Sequence, residues 1–203
     1  MATTFQNHIL NAQRKGHVDQ QAKSSINWFR LNVRKTTNSI STGRLFKEEQ
    51  AQLVNSWTSV GPGQMYFVNY DPKHKKTLPY YDSFPLIIPI ERYKDGILAM
   101  NLHYLPPVLR AKLLDALFDT VNNKRFDEKT KMKVSYDILS GASKFSLFQP
   151  CIKRYLGPHF RSRFIRIKPE SWTPAVFLPF ERFEKASNAK VWADSRKMMR
   201  GKR

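Results

Sequence analysis

Three short apolar runs separated by turn-forming residues constrain the fold of this chain more than any other feature. Met65-Tyr66-Phe67-Val68-Asn69-Tyr70 lies between Gly63 and Asp71-Pro72. Phe84-Pro85-Leu86-Ile87-Ile88-Pro89-Ile90 follows, and Arg92-Tyr93-Lys94-Asp95-Gly96 leads into Ile97-Leu98-Ala99-Met100-Asn101-Leu102. Short runs rich in aromatic and β-branched side chains, bounded by Gly, Pro and Asp, read as strands. Asp95-Gly96 marks a hairpin. The prolines of the second run suit an edge strand or a bulge, because proline gives no N–H to a ladder. The prediction is a small antiparallel sheet or barrel core over about residues 64–103, flanked by N-terminal and C-terminal helices. A small open barrel of the Src-homology-three type is the favoured geometry.

On either side the pattern changes to helical. Residues 1–17 show no period and read as a loose arm, after which Val18, Ala22, Ile26, Phe29 and Val33 recur at helical spacing. Lys23, Asn27, Arg30 and Arg34 form a second stripe on that helix, open to two readings: a solvated face or a phosphate-facing one. Residues 36–43 are a linker by composition, and Phe46, Leu53 and Trp57 predict a short helix before Gly61-Pro62-Gly63. Pro106 and Pro107 sit where a first helical turn tolerates missing N–H groups. Leu109, Leu113, Leu114, Leu117 and Val121 then form one apolar face. A further helix is predicted over Glu128 to Ser140, closed by Gly141.

Gly157-Pro158 breaks the chain, and Phe160 to Lys168 reads as extended, with Ile165 and Ile167 opposite Arg166 and Lys168. Pro174 and Pro179 cut the next segment into turns, and Asn188 caps a last helix carrying Val191, Trp192, Arg196, Lys197 and Arg200. The class is α+β: a basic helical N-terminal arm over residues 1–60, then a single α+β domain over residues 61–203.

The charge is unevenly placed on this frame. The chain has 203 residues and a formal net charge of +19. Residues 61–120, which hold the predicted sheet, carry seven basic and six acidic groups, whereas residues 151–203 carry fourteen and four. An excess of which more than half sits in one quarter of the chain points to a polyanionic partner, since self-repulsion disfavours a compact state without a counter-charge. Hydrophobic residues at 41% are too abundant for wholesale disorder. The single Cys151 excludes an intrachain disulfide framework and reads as a small buried hydrophobe. No apolar run approaches the ~20 residues a bilayer span needs, and Met1 to Leu10 show no secretory pattern. The expectation is a soluble protein of a reducing compartment.

A search for catalytic chemistry yields little. No G-x-x-x-x-G-K-[ST] loop is present, and Gly61 and Gly63 lack the third glycine of a dinucleotide turn. His8, His17, His74, His103 and His159 are not spaced for a metal on one helix face. His103, just after a predicted strand, reads as a hydrogen-bonded structural histidine. A nuclease would want converging carboxylates with a lysine nearby. Asp71-Pro72-Lys73 and Asp127-Glu128-Lys129 offer that only superficially: Asp71 lies in a turn, and Asp127 and Glu128 lie where a helix macrodipole favours acids. No catalytic residue, metal ligand or cofactor is expected.

The binding signals are stronger. Lys153, Arg154, Arg161, Arg163, Arg166 and Lys168 place six positive charges in sixteen residues, interleaved with Tyr155, Phe160 and Phe164. Arginine forks grip phosphate oxygens bidentately, and neighbouring rings stack on bases or hold the arginines. Lys73, His74, Lys75 and Lys76 add a compact basic turn, and Arg196 and Lys197 add charge on the last helix. Lys73, Lys75, Lys76, Lys153, Arg154, Arg161, Arg163, Arg166, Lys168, Arg196 and Lys197 are therefore the candidate nucleic-acid contacts. The pattern predicts polyanion binding and carries little about base sequence.

Tyr70-Asp71-Pro72-Lys73-His74-Lys75-Lys76-Thr77-Leu78-Pro79-Tyr80-Tyr81-Asp82-Ser83-Phe84-Pro85-Leu86 carries a resemblance, as do Asn101-Leu102-His103-Tyr104-Leu105-Pro106-Pro107, Phe183-Glu184-Lys185-Ala186 and Trp192-Ala193-Asp194-Ser195-Arg196. Over roughly residues 64–200 the chain resembles a virion protein family of T-even-like tailed phages associated with DNA end protection. The resemblance implies a non-catalytic protein of the virion, synthesised in the cytoplasm of an infected bacterium. Such a protein binds a double-stranded end and shields it from host exonucleases. The implied partners are double-stranded DNA and other phage virion proteins, with no membrane and no small-molecule substrate. The rival reading is a structural head, neck or baseplate component without a dedicated DNA role.

Overall fold

Alternation along the strands determines the architecture. Met65, Tyr66 and Phe67 are all buried, yet Met65 and Phe67 enter one hydrophobic core and Tyr66 another. Leu86 and Ile88 join the first core and Ile87 the second, as the period of two requires. A sheet apolar on both faces must be covered on both, and here it is.

The computed structural model describes residues 4–16, 28, 31, 45–47, 53–121, 137 and 148–200. Their regular elements are α1 (Thr4–Arg14), β1 (Leu53–Val54), β2 (Met65–Phe67), β3 (Tyr81–Asp82), β4 (Leu86–Tyr93), β5 (Gly96–Asn101), α2 (Pro107–Val121), β6 (Ile152–Leu156), β7 (Phe164–Ile167), α3 (Trp172–Phe177), β8 (Phe183–Glu184) and α4 (Asn188–Arg200), with short 3-10 turns between them. Six strands form one antiparallel sheet in the order β1-β7-β2-β4-β5-β6, and β3 pairs with β8 in a separate ribbon. The class is α+β, as the sequence predicts, but β1 and β6 remain the two edges and the sheet does not close. The barrel geometry is therefore wrong. The strand that would have closed it, β6, pairs along β5 at the edge, Ala99 opposite Lys153.

The helices cover the first face. Val108, Leu109, Ala111, Leu113 and Leu114 of α2 share a core with Trp172, Ala175, Val176 and Phe177 of α3 and Val191 of α4. The second face is covered by loops: Val60, Tyr70 and the half-buried Trp57 and Phe160 pack on Tyr66, Ile97, Tyr155 and Phe164. Helix α2 starts at Pro107, where its missing N–H is harmless.

Several expectations need correction. Residues 4–14 are helical rather than loose; Ala12 and Ile9, three residues apart, pack into the first core beside α2. Many polar residues hide that short stripe, and packing rather than propensity sustains it. Leu53 belongs to β1 and Trp57 to a 3-10 turn, so no helix joins them. Strand β4 is interior, and a register shift between Pro89 and Glu91 absorbs the proline as a bulge rather than at an edge. Pro174 lies within the first turn of α3, where proline does not break a helix. In the β4–β5 hairpin the two loop residues are Lys94 and Asp95, and Gly96 already pairs with Tyr93. Its glycine serves close approach, since a Cβ there would lie 1.9 Å from the Tyr155 carbonyl oxygen. The last helix is capped by Ser187, whose hydroxyl accepts the Lys190 N–H at 3.3 Å, one residue before Asn188. The predicted helices from Val18 and over Glu128–Ser140, and the linker at 36–43, lie outside the described residues.

Phe84 anchors the junction between ribbon and sheet. Its ring is 7% exposed, stacks on Phe67 at 5.1 Å between centroids and meets Phe46 edge-on at 5.7 Å. Phe84→Ala should cost about 3–5 kcal/mol, as buried phenylalanine truncations do. Thermal melting measures it: a loss of roughly 2–4 °C per kcal/mol is expected for a chain of this size, and a melt that barely moves would make Phe84 a contact surface instead.

Candidate nucleic-acid interface

Two basic stretches far apart in sequence meet through Asp71. The segment after β6 folds back along residues 69–71: Arg161 N donates to Asn69 O at 2.9 Å, Asp71 N to His159 O at 3.0 Å, and Asn69 N to the Ser162 hydroxyl at 2.9 Å. Asp71 then accepts Lys75 Nζ at 2.9 and 3.1 Å and faces Arg161 at 3.5 Å. Those cations hold its carboxyl below the usual range, the Lys75 hydrogen bond contributing most. Lys73–Lys76 and Arg161 thus occupy one exposed surface.

The turn carrying Lys73–Lys76 is closed by a cation that sequence reasoning did not select. Lys185 sits at a positive φ of 68°, and its Nζ donates to the carbonyls of Lys75, Lys76 and Leu78. No charge pattern marks Lys185, because its partners are backbone oxygens a hundred residues away.

The other candidates separate into three places. Arg163 and Arg166 are exposed on the 161–168 stretch, Arg166 in β7 opposite Tyr66, and Lys168 is exposed just after the strand. Arg166 thus lies across from the inward-facing Ile165 and Ile167, as predicted. Lys153 and Arg154 are on edge strand β6 instead. Arg154 is engaged within the fold, paired with Asp95 and lying over the Tyr93 ring at 4.3 Å. Arg196 is half-buried and Lys197 exposed on α4.

Beside β6 lies a cavity of about 450 Å³. Tyr70, Tyr80, Tyr81, Tyr104 and Tyr155 line it, with Lys73 and His74 at the exposed turn and Met198 of α4 on another wall. Four consecutive β6 residues, Lys153 to Leu156, contribute to the lining, so the cavity runs along the open edge of the strand. Burial pushes the phenols of Tyr70, Tyr80, Tyr104 and Tyr155 up, so all four are neutral donors. Burial pulls Lys153 down, and its Nζ lies 4.1 Å from the Tyr104 ring centroid. Phe84 and Pro85 are buried, whereas Tyr80 and Tyr81 are half-buried cavity wall.

At the cavity floor Asp82 is 3% exposed and fully engaged. Its oxygens accept Phe84 N at 3.1 Å, Asn101 Nδ2 at 3.0 Å and His103 Nδ1 at 2.7 Å. His103 is the hydrogen-bonded structural histidine expected, entirely buried. Cys151 is buried with its thiol pushed up to about 12 by desolvation. Among the described residues no group of three or more His, Cys, Asp or Glu side chains could hold a metal ion. Asp127 and Glu128 lie outside the described residues.

An α+β sheet protein with neutral tyrosines at one open edge and a cationic surface beside them is the class that fold and site define. The chain belongs to the phage T4 terminal DNA protecting protein family, whose model matches residues 1–198. That match takes in the first 60 residues, beyond the stretch in which the resemblance is legible by eye. Neither the curated proteins nor the solved structures gave a match. No described helix is long and apolar enough to cross a membrane.

If Lys185 closes the basic turn, Lys185→Met should free three carbonyls at once. Hydrogen–deuterium exchange of peptides spanning 73–80 should quicken by roughly tenfold, as loss of about 1–2 kcal/mol of local hydrogen bonding implies. Unchanged exchange would show that the turn holds itself.

Proposed function

We propose that this chain is a non-enzymatic virion protein that grips the phosphates of double-stranded DNA and shields genome ends from exonucleases. The observation that carries the reading is the cationic surface around Asp71. There Lys73, Lys75, Lys76 and Arg161 converge from two segments, and Arg163, Arg166 and Lys168 continue the charge along the 161–168 stretch. Asp71 serves both Lys75 and Arg161, one negative charge against two positive, so a counter-charge there is left for a partner to supply. Phosphate is the natural one, since arginine forks match its geometry. Membership of a DNA protecting family supports the choice of DNA over an acidic protein. Lys153, Arg154, Arg196 and Lys197 complete the proposed contacts, Arg154 mainly by ordering the β5–β6 edge through Asp95.

The combined variant Arg161→Ala, Arg163→Ala, Arg166→Ala should lower duplex affinity and flatten its salt dependence. Each arginine that reaches a phosphate contributes about 0.9 to the slope of log affinity against log salt. Filter binding at several salt concentrations reads both quantities. An unchanged slope would remove this surface from the interface.

Shielding is tested apart from gripping. A linear duplex incubated with the protein and then with an end-dependent exonuclease should survive longer at low salt and lose that protection at high salt. Without exonuclease the duplex should stay intact in magnesium or manganese. Metal-dependent loss abolished by Asp127→Ala would make the protein a nuclease. Intact DNA with no protection at low salt would leave a structural head, neck or baseplate part.

A further inference from the structure

We infer that the tyrosine-lined cavity beside β6 is a binding pocket for the terminal nucleotide of a DNA strand, its phosphate held by Lys153 and its base stacked at Tyr80 and Tyr81. This rests on the DNA-binding reading above and deepens it, because it turns affinity for phosphates into recognition of an end.

Size comes first. About 450 Å³ falls within the range of small-molecule pockets. It admits one nucleotide and not a duplex, whose major groove alone is about 12 Å wide. An internal nucleotide would have to leave its stack to enter, whereas a terminal one has a single neighbour and one flanking phosphate.

The lining matches a nucleotide in both halves. Tyr70, Tyr104 and Tyr155 are at most 8% exposed and form the inner wall, while the half-buried Tyr80 and Tyr81 offer ring surface to an incoming base. Aromatic rings stack on any base, so the pocket needs no sequence preference. Met198, 48% exposed on α4, adds a polarizable contact at the mouth.

Lys153 is the second, independent sign. Its ammonium is drawn into the wall against Tyr104, and among the described residues no carboxylate faces it. Among the described residues lining the cavity the one acid is Asp82, whose oxygens are taken by Phe84 N, Asn101 and His103. A half-buried cation with an aromatic neighbour and no counter-ion is a seat for an anion. Lys73 at the turn continues the positive lining outward, along the direction in which the strand would leave toward Lys75 and Arg161.

The test compares two duplexes of identical sequence and length. One is linear with 5′-phosphates, and the other is closed at both ends by hairpin loops. The full chain should bind the linear duplex roughly tenfold more tightly, the value of one charge-assisted contact. Lys153→Met keeps the stem, removes a desolvated charge and should fold at least as stably. It should abolish the preference for the open end, lowering affinity for the linear duplex to that for the closed one. Tyr80→Ala, at a half-buried position, should reduce the preference in the same way. The arginine triple variant should weaken both duplexes equally and keep their ratio.

Equal affinity of the unaltered chain for both duplexes would overturn the pocket and leave the phosphate-gripping function standing. An end preference untouched by Lys153→Met and Tyr80→Ala would overturn it as well, by placing the end elsewhere. Failure to bind either duplex would overturn both readings.

Discussion

The buried Arg110 guanidinium holds together everything that surrounds the candidate site. Its side chain is fully buried, as is the Glu181 carboxylate it meets at 2.7 Å. It also donates to the carbonyls of Leu105 and Val176 at 2.7 Å and of His103 at 3.2 Å, and lies beside the Trp192 ring. One side chain thereby ties the turn after β5, helix α3, the stretch before β8 and helix α4. A buried ion pair gains little over apolar packing, but losing one partner typically costs about 3–5 kcal/mol because a bare charge remains. The arrangement therefore specifies as well as stabilises.

That specification passes outward to the cavity. The His103 carbonyl that accepts Arg110 also accepts Trp192 Nε1 at 2.7 Å, and the His103 ring meets Asp82. Asp82 in turn holds Asn101, whose side chain hydrogen-bonds the Tyr155 phenol, while the Tyr104 phenol hydrogen-bonds the Asp82 backbone. The inner wall of the cavity is thus the far end of a polar network that begins at Glu181. Buried polar chains of this kind hold their members in place, although His103 Nε2 at the centre of this one is buried without a hydrogen-bond partner. The cavity wall is tied into the core, whereas the cations around Asp71 are exposed.

What was legible in the sequence follows the range of the forces involved. The strands over 65–70, 84–90 and 97–102 declare themselves by local pattern, and so does the apolar face of α2. Strand β6 does not, because Lys153-Arg154 within Ile152–Leu156 reads as part of a basic cluster rather than as a strand. Pairing with β5 and the close approach at Gly96 make it a strand, and both are non-local. Arg110 looks like a solvent-facing break in a leucine helix, since its partners lie up to 71 residues away. The basic clusters were visible as charge, but only the fold shows Lys75 and Arg161 sharing Asp71, and Arg154 engaged with Asp95. The cavity tyrosines come from four separate stretches, and no local pattern marks them as one wall.

The energetics of Lys153 connect this fold to its charge excess. Desolvation lowers its affinity for a proton, so between the folded and unfolded lysine values the unfolded chain binds more protons and stability rises with pH. Where the side chain is charged in the folded chain, its desolvation is an energetic cost to the fold. An anion seated beside the ammonium removes that cost, and any ligand that binds the folded state alone stabilises it in proportion to its occupancy. The same reasoning extends to the whole cationic surface, where a net charge of +19 repels itself until a polyanion is present. On the proposed reading the free protein and its complex differ in stability as well as in contacts, since the core is held by the Arg110–Glu181 and Asp82–His103 pairs whatever is bound, while the cationic surface is balanced by the partner's charge.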